Sequence, residues 1–218
     1  MEHRTEEEQV AALKQWWKDN GNSLIIGVGL ALAVVFGWKM YQQDVENTKN
    51  EASMLYQQLL EVAIGENVTE ESASTTDFIA NKLKNEFESS EYARYSALFL
   101  AKSAVSKNDL DAAEAELRWV LKSNTDSSLN KLVQGRLARV LDAQGKKDDA
   151  LALLDDKNAG EYAAMYLEIK GDIYNRAGDI ESAKNAYSEA YKAMKASGTQ
   201  RPMLTLKMAD LGISEEGA

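Results

Sequence analysis

The groups in this chain most often used for acid–base work near neutral pH are carboxylates, 35 of them, and a single histidine, His3. General acid–base work needs two such groups held within reach of one substrate atom. With this many acidic residues, chance pairs are expected anywhere, so their presence points to no reaction. His3 stands in a terminus expected to fray, a poor place for a base or a ligand. The absence of Cys excludes disulfides, thiolate chemistry and Cys-ligated zinc. The phosphate loop G-x-x-x-x-G-K-[ST], the zinc helix H-E-x-x-H and the nucleophile elbow G-x-S-x-G are all missing. The acidic residues lie on helix faces or near helix starts, where solvation or capping accounts for them. No catalytic residue, cofactor or metal is expected; what remains is recognition.

Residues suited to recognition recur at a fixed spacing. With units read from Arg94, Lys131 and Ala164, positions 2, 5, 9, 12 and 13 fall on the face that lines the hollow of a helical stack. The first unit places Tyr95, Leu98, Lys102 and Val105 there, and the second Leu132, Gly135, Arg139 and Asp142. The third places Met165, Glu168, Asp172, Asn175 and Arg176. This mixture of apolar and charged groups suits an extended or partly unfolded peptide. Arrays that clamp a C-terminal carboxylate place Lys and Asn at positions 5 and 9. Here those positions hold Leu98/Lys102, Gly135/Arg139 and Glu168/Asp172, which disfavours that mode.

The elements that must hold these residues are helices. Pro202 is the only proline in 218 residues, and strand-like alternation is scarce. The units follow the tetratricopeptide pattern of small residues at positions 8 and 20 and a large one at 24. The first supplies Ala97, Leu100, Ala101, Ala113, Leu117 and Val120; the second Leu137, Ala138, Leu141, Gly145, Ala150 and Leu154. The third, the strongest match, has Leu167, Gly171, Tyr174, Gly178, Ala183, Tyr187 and Ala190. Small residues let the two helices of a unit approach, and the large one fills the gap to the next unit. The turns "KNDLDAA", "GKKDDAL" and "AGDIESA" each place Asp or Asn where a side-chain oxygen can cap the second helix. Residues 44–64 and 76–88 are expected to form a degenerate fourth unit, joined by the polar stretch "GENVTEESASTT". Within that stretch Asn67-Val68-Thr69 matches a glycosylation acceptor, a tripeptide that arises readily by chance. Repeats are thus expected near 94–127, 131–159 and 164–197. A capping helix over 202–212 would close them with Leu204, Met208 and Leu211 on one face.

Ahead of the repeats, Asn20–Trp38 is 19 residues without a formal charge. As a helix it spans roughly 28 Å, the thickness of a bilayer's hydrocarbon core. The downstream flank "FGWKMYQQDVEN" offers bulky and charged residues where signal peptidase requires small ones, so residues 20–41 are expected to stay as an anchor. Trp16 and Trp17 before it, with Trp38 and Tyr41 after it, would lie at the two interfaces. Gly29, Ala33 and Gly37 recur every fourth residue and make a face on which another helix can pack closely. Upstream, residues 1–19 are expected to hold a short interfacial helix, opened by a Thr5-x-x-Glu8 capping box with Val10, Leu13 and Trp17 on one side. Arg4, Lys14 and Lys18 before the span outnumber Lys39 and Lys49 shortly after it, which favours a cytosolic N-terminus. The remainder, 42–218, would then form the repeat domain on the far side. The net charge of −10 argues against nucleic acid and against adsorption to anionic lipid.

The segment "EEQVAALKQWWKDNGNSLIIGVGLALAVVFGWKMYQQ", followed by tetratricopeptide-like helices, resembles the YfgM-type ancillary subunits of the bacterial SecYEG translocon. The likeness covers essentially the whole chain. It is most specific at Gln9–Val10, Trp16–Trp17, Asn20–Gly21 and Gly37–Trp38. The resemblance implies an all-α, single-span inner-membrane protein with its repeat domain in the periplasm. It implies as partners the SecYEG translocon, a membrane-anchored periplasmic chaperone with a parvulin-like domain, and nascent secreted polypeptides. The function implied is an adaptor that passes emerging polypeptides to the periplasmic chaperones. The alternative is a scaffold or tether of a cell-envelope complex that binds no client. A weaker implication is a link to envelope-stress regulation through the cytosolic end. The acidic tail in "LGISEEGA" departs from the family's layout.

Overall fold

A computed structural model describes residues 6–65, 69–123 and 127–214 of the chain, and their regular structure is helical throughout. His3, Arg4, Thr5 of the capping box, Asn67–Val68 of the acceptor tripeptide and the tail beyond Ser214 lie outside the described residues. The chain divides into two units, residues 1–51 and 52–218.

The described residues of the first unit all lie in helix α1, which runs from Glu6 to Ile64. The stretch expected to hold a short interfacial helix is helical and continuous with the span. No proline interrupts this stretch, and one interior glycine costs a helix only about 1 kcal/mol. Asn20 Nδ2 donates to the Trp16 carbonyl at 3.1 Å, so the side chain that would best start a turn is tied back onto its own helix. From Leu24 to Trp38 every large apolar side chain is exposed. Among the described residues this is the one helix long and apolar enough to cross a membrane, and none of its apolar stretch is buried in protein.

The second unit begins with the last turns of α1, which share a core with α2 (Glu70–Glu86) and α3 (Glu91–Ser106) through Ala52, Leu59, Ala80, Leu83 and Leu100. Helix α2 starts well before residue 76, inside the stretch read as a polar connection. Thr69 Oγ1 accepts from the Ser72 amide at 3.1 Å, and Ser72 Oγ accepts in return from the Thr69 amide at 2.8 Å. This reciprocal cap uses Ser where Glu or Gln is usual, which hid it from the sequence.

Three helix pairs follow: α3 with α4 (Leu110–Lys122), α5 (Ser127–Ala143) with α6 (Lys147–Ala152), and α7 (Ala163–Arg176) with α8 (Ile180–Ser197). The facing small residues Ala101/Ala113, Ala138/Ala150 and Gly171/Ala183 are all buried. So are the large residues that follow them, Leu117, Leu154 and Tyr187. Each pair turns through one left-handed residue, Asn108, Gly145 or Gly178, with φ of 58°, 79° and 77°. Asparagine is among the few side chains that tolerate this conformation. Asp109 and Asp179 cap α4 and α8 by accepting from Ala112 N at 3.0 Å and Ser182 N at 3.1 Å.

The middle pair departs from expectation twice. Its cap position is Lys146, with no side-chain cap, and Asp148 and Asp149 act only through the charge of the first turn. Helix α6 also stops at Ala152, short of residue 159, and the chain continues in two single-turn 3-10 helices, Asp156–Asn158 and Gly160–Tyr162. Asn158 Nδ2 donates to Asp155 at 2.7 Å, the local bonding by which Asp and Asn compete with a helix. The fold closes with α9 (Pro202–Asp210), whose Leu204 and Met208 are buried against α8.

Candidate binding groove

A cavity of about 540 Å³ opens between α3, α4 and α5, with Tyr56 of α1 at its edge. Its wall is apolar: Leu98, Phe99 and Val105 from α3, Leu110 and Leu117 from α4, Val140 and Ala143 from α5. Tyr56 and Tyr95 stand with ring centroids 5.9 Å apart, and the Tyr92 ring lies 5.1 Å from Tyr56. Three cations rim this wall, Lys102 of α3 and Arg136 and Arg139 of α5. None of the three makes an ion pair among the described residues, and no carboxylate lies among those that line the cavity. Partial removal from solvent, then the Arg139 charge beside it, lower Arg136 from the ordinary arginine value; a guanidinium still stays charged at neutral pH.

A second cavity, of about 480 Å³, lies between α5, α7, α8 and α9, and Arg139 lines both. Asp142, Asp172, Asn175 and Arg176 line it, and here both carboxylates are paired with cations. Arg176 binds Asp142, and Lys207 Nζ of α9 reaches Asp172 at 2.7 Å. Tyr187 donates its hydroxyl to Asp172 at 2.8 Å. Burial first, then the hydrogen bond to Asp172, raise the Tyr187 pKa above the ordinary phenol value. This end of the groove is a closed polar network.

Met165 and Glu168 line neither cavity. Met165 fills the close approach of α5 and α7: a Cβ added at Gly135 would come within 2.8 Å of its Cε. Glu168 is 3 % exposed and enclosed by cations from the end of the chain. Arg201 Nε donates to it at 2.5 Å and Lys207 Nζ at 2.8 Å. Burial pushes its pKa up, but Lys207 and then Arg201 outweigh that and hold the carboxyl below its ordinary range. Gly135 and Glu168 thus serve helix packing. Their repeat positions face the hollow only where no later helix covers them.

Sequence reasoning missed Tyr56, Phe99, Arg136, Tyr187 and Lys207 as lining residues. Arg136 was findable, because it lies three residues before Arg139 and shares its helix face. Tyr56 and Lys207 come from helices outside the three units and carried no local signal.

In the first unit, a Cβ added at Gly29 or Gly37 would meet nothing within 4 Å, so the Gly29–Ala33–Gly37 face is open. Trp16, Trp17, Trp38 and Tyr41 are exposed, and the Trp38 and Tyr41 rings lie 6.0 Å apart. The Trp17 indole covers Gly21, where a Cβ would come within 3.1 Å of it.

The sequence profile of the tetratricopeptide repeat-like domain matches residues 14–213. Among curated proteins, the ancillary SecYEG translocon subunit of Haemophilus influenzae is 30% identical over 206 residues, 94% of this chain and 97% of that one. The proteins of the same name from Neisseria gonorrhoeae and Escherichia coli K12 are 29% and 28% identical, covering 96% and 97% of this chain and 98% of each relative. No solved structure matches the chain. With its exposed apolar helix, its stacked helix pairs and this near-complete correspondence in length, the chain belongs to the family of ancillary SecYEG translocon subunits.

Proposed function

We propose that this protein is a non-enzymatic adaptor of the Sec translocon, anchored in the inner membrane by residues 20–41, with its N-terminus cytosolic and its repeat domain periplasmic. The repeat domain engages a membrane-anchored chaperone with a parvulin-like domain and the polypeptides emerging from the translocon, and the groove on α3 and α5 is the surface that holds them. Gly29, Ala33 and Gly37 form the face that packs on a partner's membrane helix, and Trp16, Trp17, Trp38 and Tyr41 hold the span at its two interfaces. Lys102 and Arg139 are the charged contacts of the groove. Asp142, Asp172, Asn175 and Arg176 continue it toward α9.

The observation that carries this reading is the pairing, in one chain, of an apolar span with no protein covering it and an apolar groove rimmed by cations that make no ion pair among the described residues. An apolar wall supplies burial without demanding one sequence, and the rim charges set preference. Both features suit a protein that must meet many unfolded chains at a membrane.

Purification of the tagged full-length chain from gently solubilised membranes tests the first part. SecYEG is expected to co-purify, and a chain with Gly29, Ala33 and Gly37 all changed to Leu is expected to recover several-fold less. Protease added outside spheroplasts is expected to digest the chain beyond Lys39. Full protection would reverse the orientation, and absence of SecYEG from the wild-type sample would refute the association.

A further inference from the structure

The charge arrangement of the first cavity is at odds with the rest of the molecule. The chain carries 35 acidic against 25 basic side chains, yet this cavity is lined by three cations and by no carboxylate, while several other cations of the second unit are taken up by carboxylates. Lys84 meets Glu116 at 2.7 Å, Lys107 meets Asp77 at 2.6 Å and Lys146 meets Glu114 at 2.9 Å. Arg176, Arg201 and Lys207 are engaged in the same way. Three cations that make no such pair among the described residues are gathered around one apolar wall, and Asp142, a carboxylate of the adjoining cavity, is already bound by Arg176.

A wall of Leu98, Phe99, Leu117 and Val140 buries an apolar side chain, and the Tyr56–Tyr95 pair adds an aromatic edge for a ring to lie against. Lys102 on α3 and Arg136 and Arg139 on α5 approach that wall from both sides. A chain lying between the helices therefore passes cations on either flank. A basic segment would be repelled from both. An acidic one gains charge-assisted hydrogen bonds while its apolar residues enter the cavity, and guanidinium groups can meet carboxylates two bonds at a time.

We propose that this cavity selects extended polypeptide segments in which large apolar residues are flanked by Asp or Glu, with Lys102, Arg136 and Arg139 binding the carboxylates. The proposal rests on the reading that the groove holds polypeptide, and it adds which polypeptide. In an acidic protein the net surface charge repels acidic segments, so the cation-lined cavity is where such a segment is drawn in, and the same cations turn basic segments away from it.

The test uses the full-length chain in detergent and three labelled, unstructured peptides with the same Phe, Leu and Tyr residues. Their flanking positions hold Glu and Asp, Ser and Gln, or Lys. Fluorescence anisotropy is expected to show the acidic peptide binding about tenfold tighter than the neutral one, a gap that narrows as salt screens the charges. The Lys peptide is expected to bind weakest. Triple reversal, Lys102→Glu with Arg136→Glu and Arg139→Glu, is expected to invert that order. Arg136→Lys with Arg139→Lys is expected to keep it. All changed side chains are exposed, and unchanged thermal unfolding of each variant confirms that the fold persists. Equal binding of all three peptides to the wild-type chain would overturn the charge selection while leaving polypeptide binding in place. Binding of none would overturn both.

Discussion

Replacing Glu168 by Ala is expected to lower the unfolding free energy of the repeat domain by about 3 kcal/mol, a fall of roughly 9 °C in melting temperature. The carboxylate is buried, and it is what α9 attaches to through Arg201 and Lys207. Its removal leaves two cations facing an uncharged pocket. They are partly exposed, at 26 % and 27 % of their side chains, so they recover some water, which keeps the loss toward the low end of that for a broken buried pair. The pH dependence has a definite sign. The folded carboxyl is held below its ordinary value of 4.5, so the pair's contribution is complete above that pH and disappears as pH falls through the lower, folded value. Thermal melts of wild type and Glu168→Gln should therefore differ most near neutrality and converge in acid. A difference that stays constant however far the pH is lowered would show that shape, not charge, accounts for the loss.

The second large effect is expected at Gly171. A Cβ there would overlap the ring of Tyr187, and that ring has nowhere to go, being 1 % exposed and tethered to Asp172 through its hydroxyl. Gly171→Ala gains about 1 kcal/mol of helix propensity but forces α7 and α8 apart, and the net loss is expected to be about 2 kcal/mol. Gly135→Ala provides the contrast. There the added carbon meets the terminal methyl of Met165, which can swing aside, and stability is expected to stay within about 1 kcal/mol of wild type. Denaturant titrations of the two variants decide the matter. Equal effects would mean that backbone flexibility, and not the two contacts, governs both sites.

These two glycines show how far sequence could be followed. Gly171 belongs to the small-residue pattern that defines a repeat, so its burial against the partner helix was legible from spacing alone. Gly135 was assigned to the hollow by the same counting, yet it lies under Met165. Spacing tells which helix face a residue occupies, but not what later chain covers that face. Glu168 makes the point more sharply, because its partners lie 33 and 39 residues downstream on a closing helix. The anchor was legible because a bilayer imposes one simple demand, length without charge. The continuity of α1 through it was not, since no residue marks the absence of a break. The early start of α2 turned on Ser72 answering Thr69, and the early end of α6 on Asp155 and Asn158 closing on each other. Both are local bonds, weaker than the periodic signal around them. Tyr56 entered the groove through a core formed by α1, α2 and α3 that no repeat template describes.

The groove on α3 and α5 is proposed to meet polypeptide as it leaves the translocon. The most direct measurement places a photo-crosslinking residue at Tyr95, at Leu98, or at Ala115, which is exposed on α4 and lines neither cavity. Each full-length variant is illuminated in cells that hold a secretory protein arrested midway through SecYEG. Adducts with the arrested chain are expected from Tyr95 and Leu98 and not from Ala115. Adducts from Ala115 alone, or from none of the three while SecYEG itself is captured, would contradict the claim and leave a tether that holds no client.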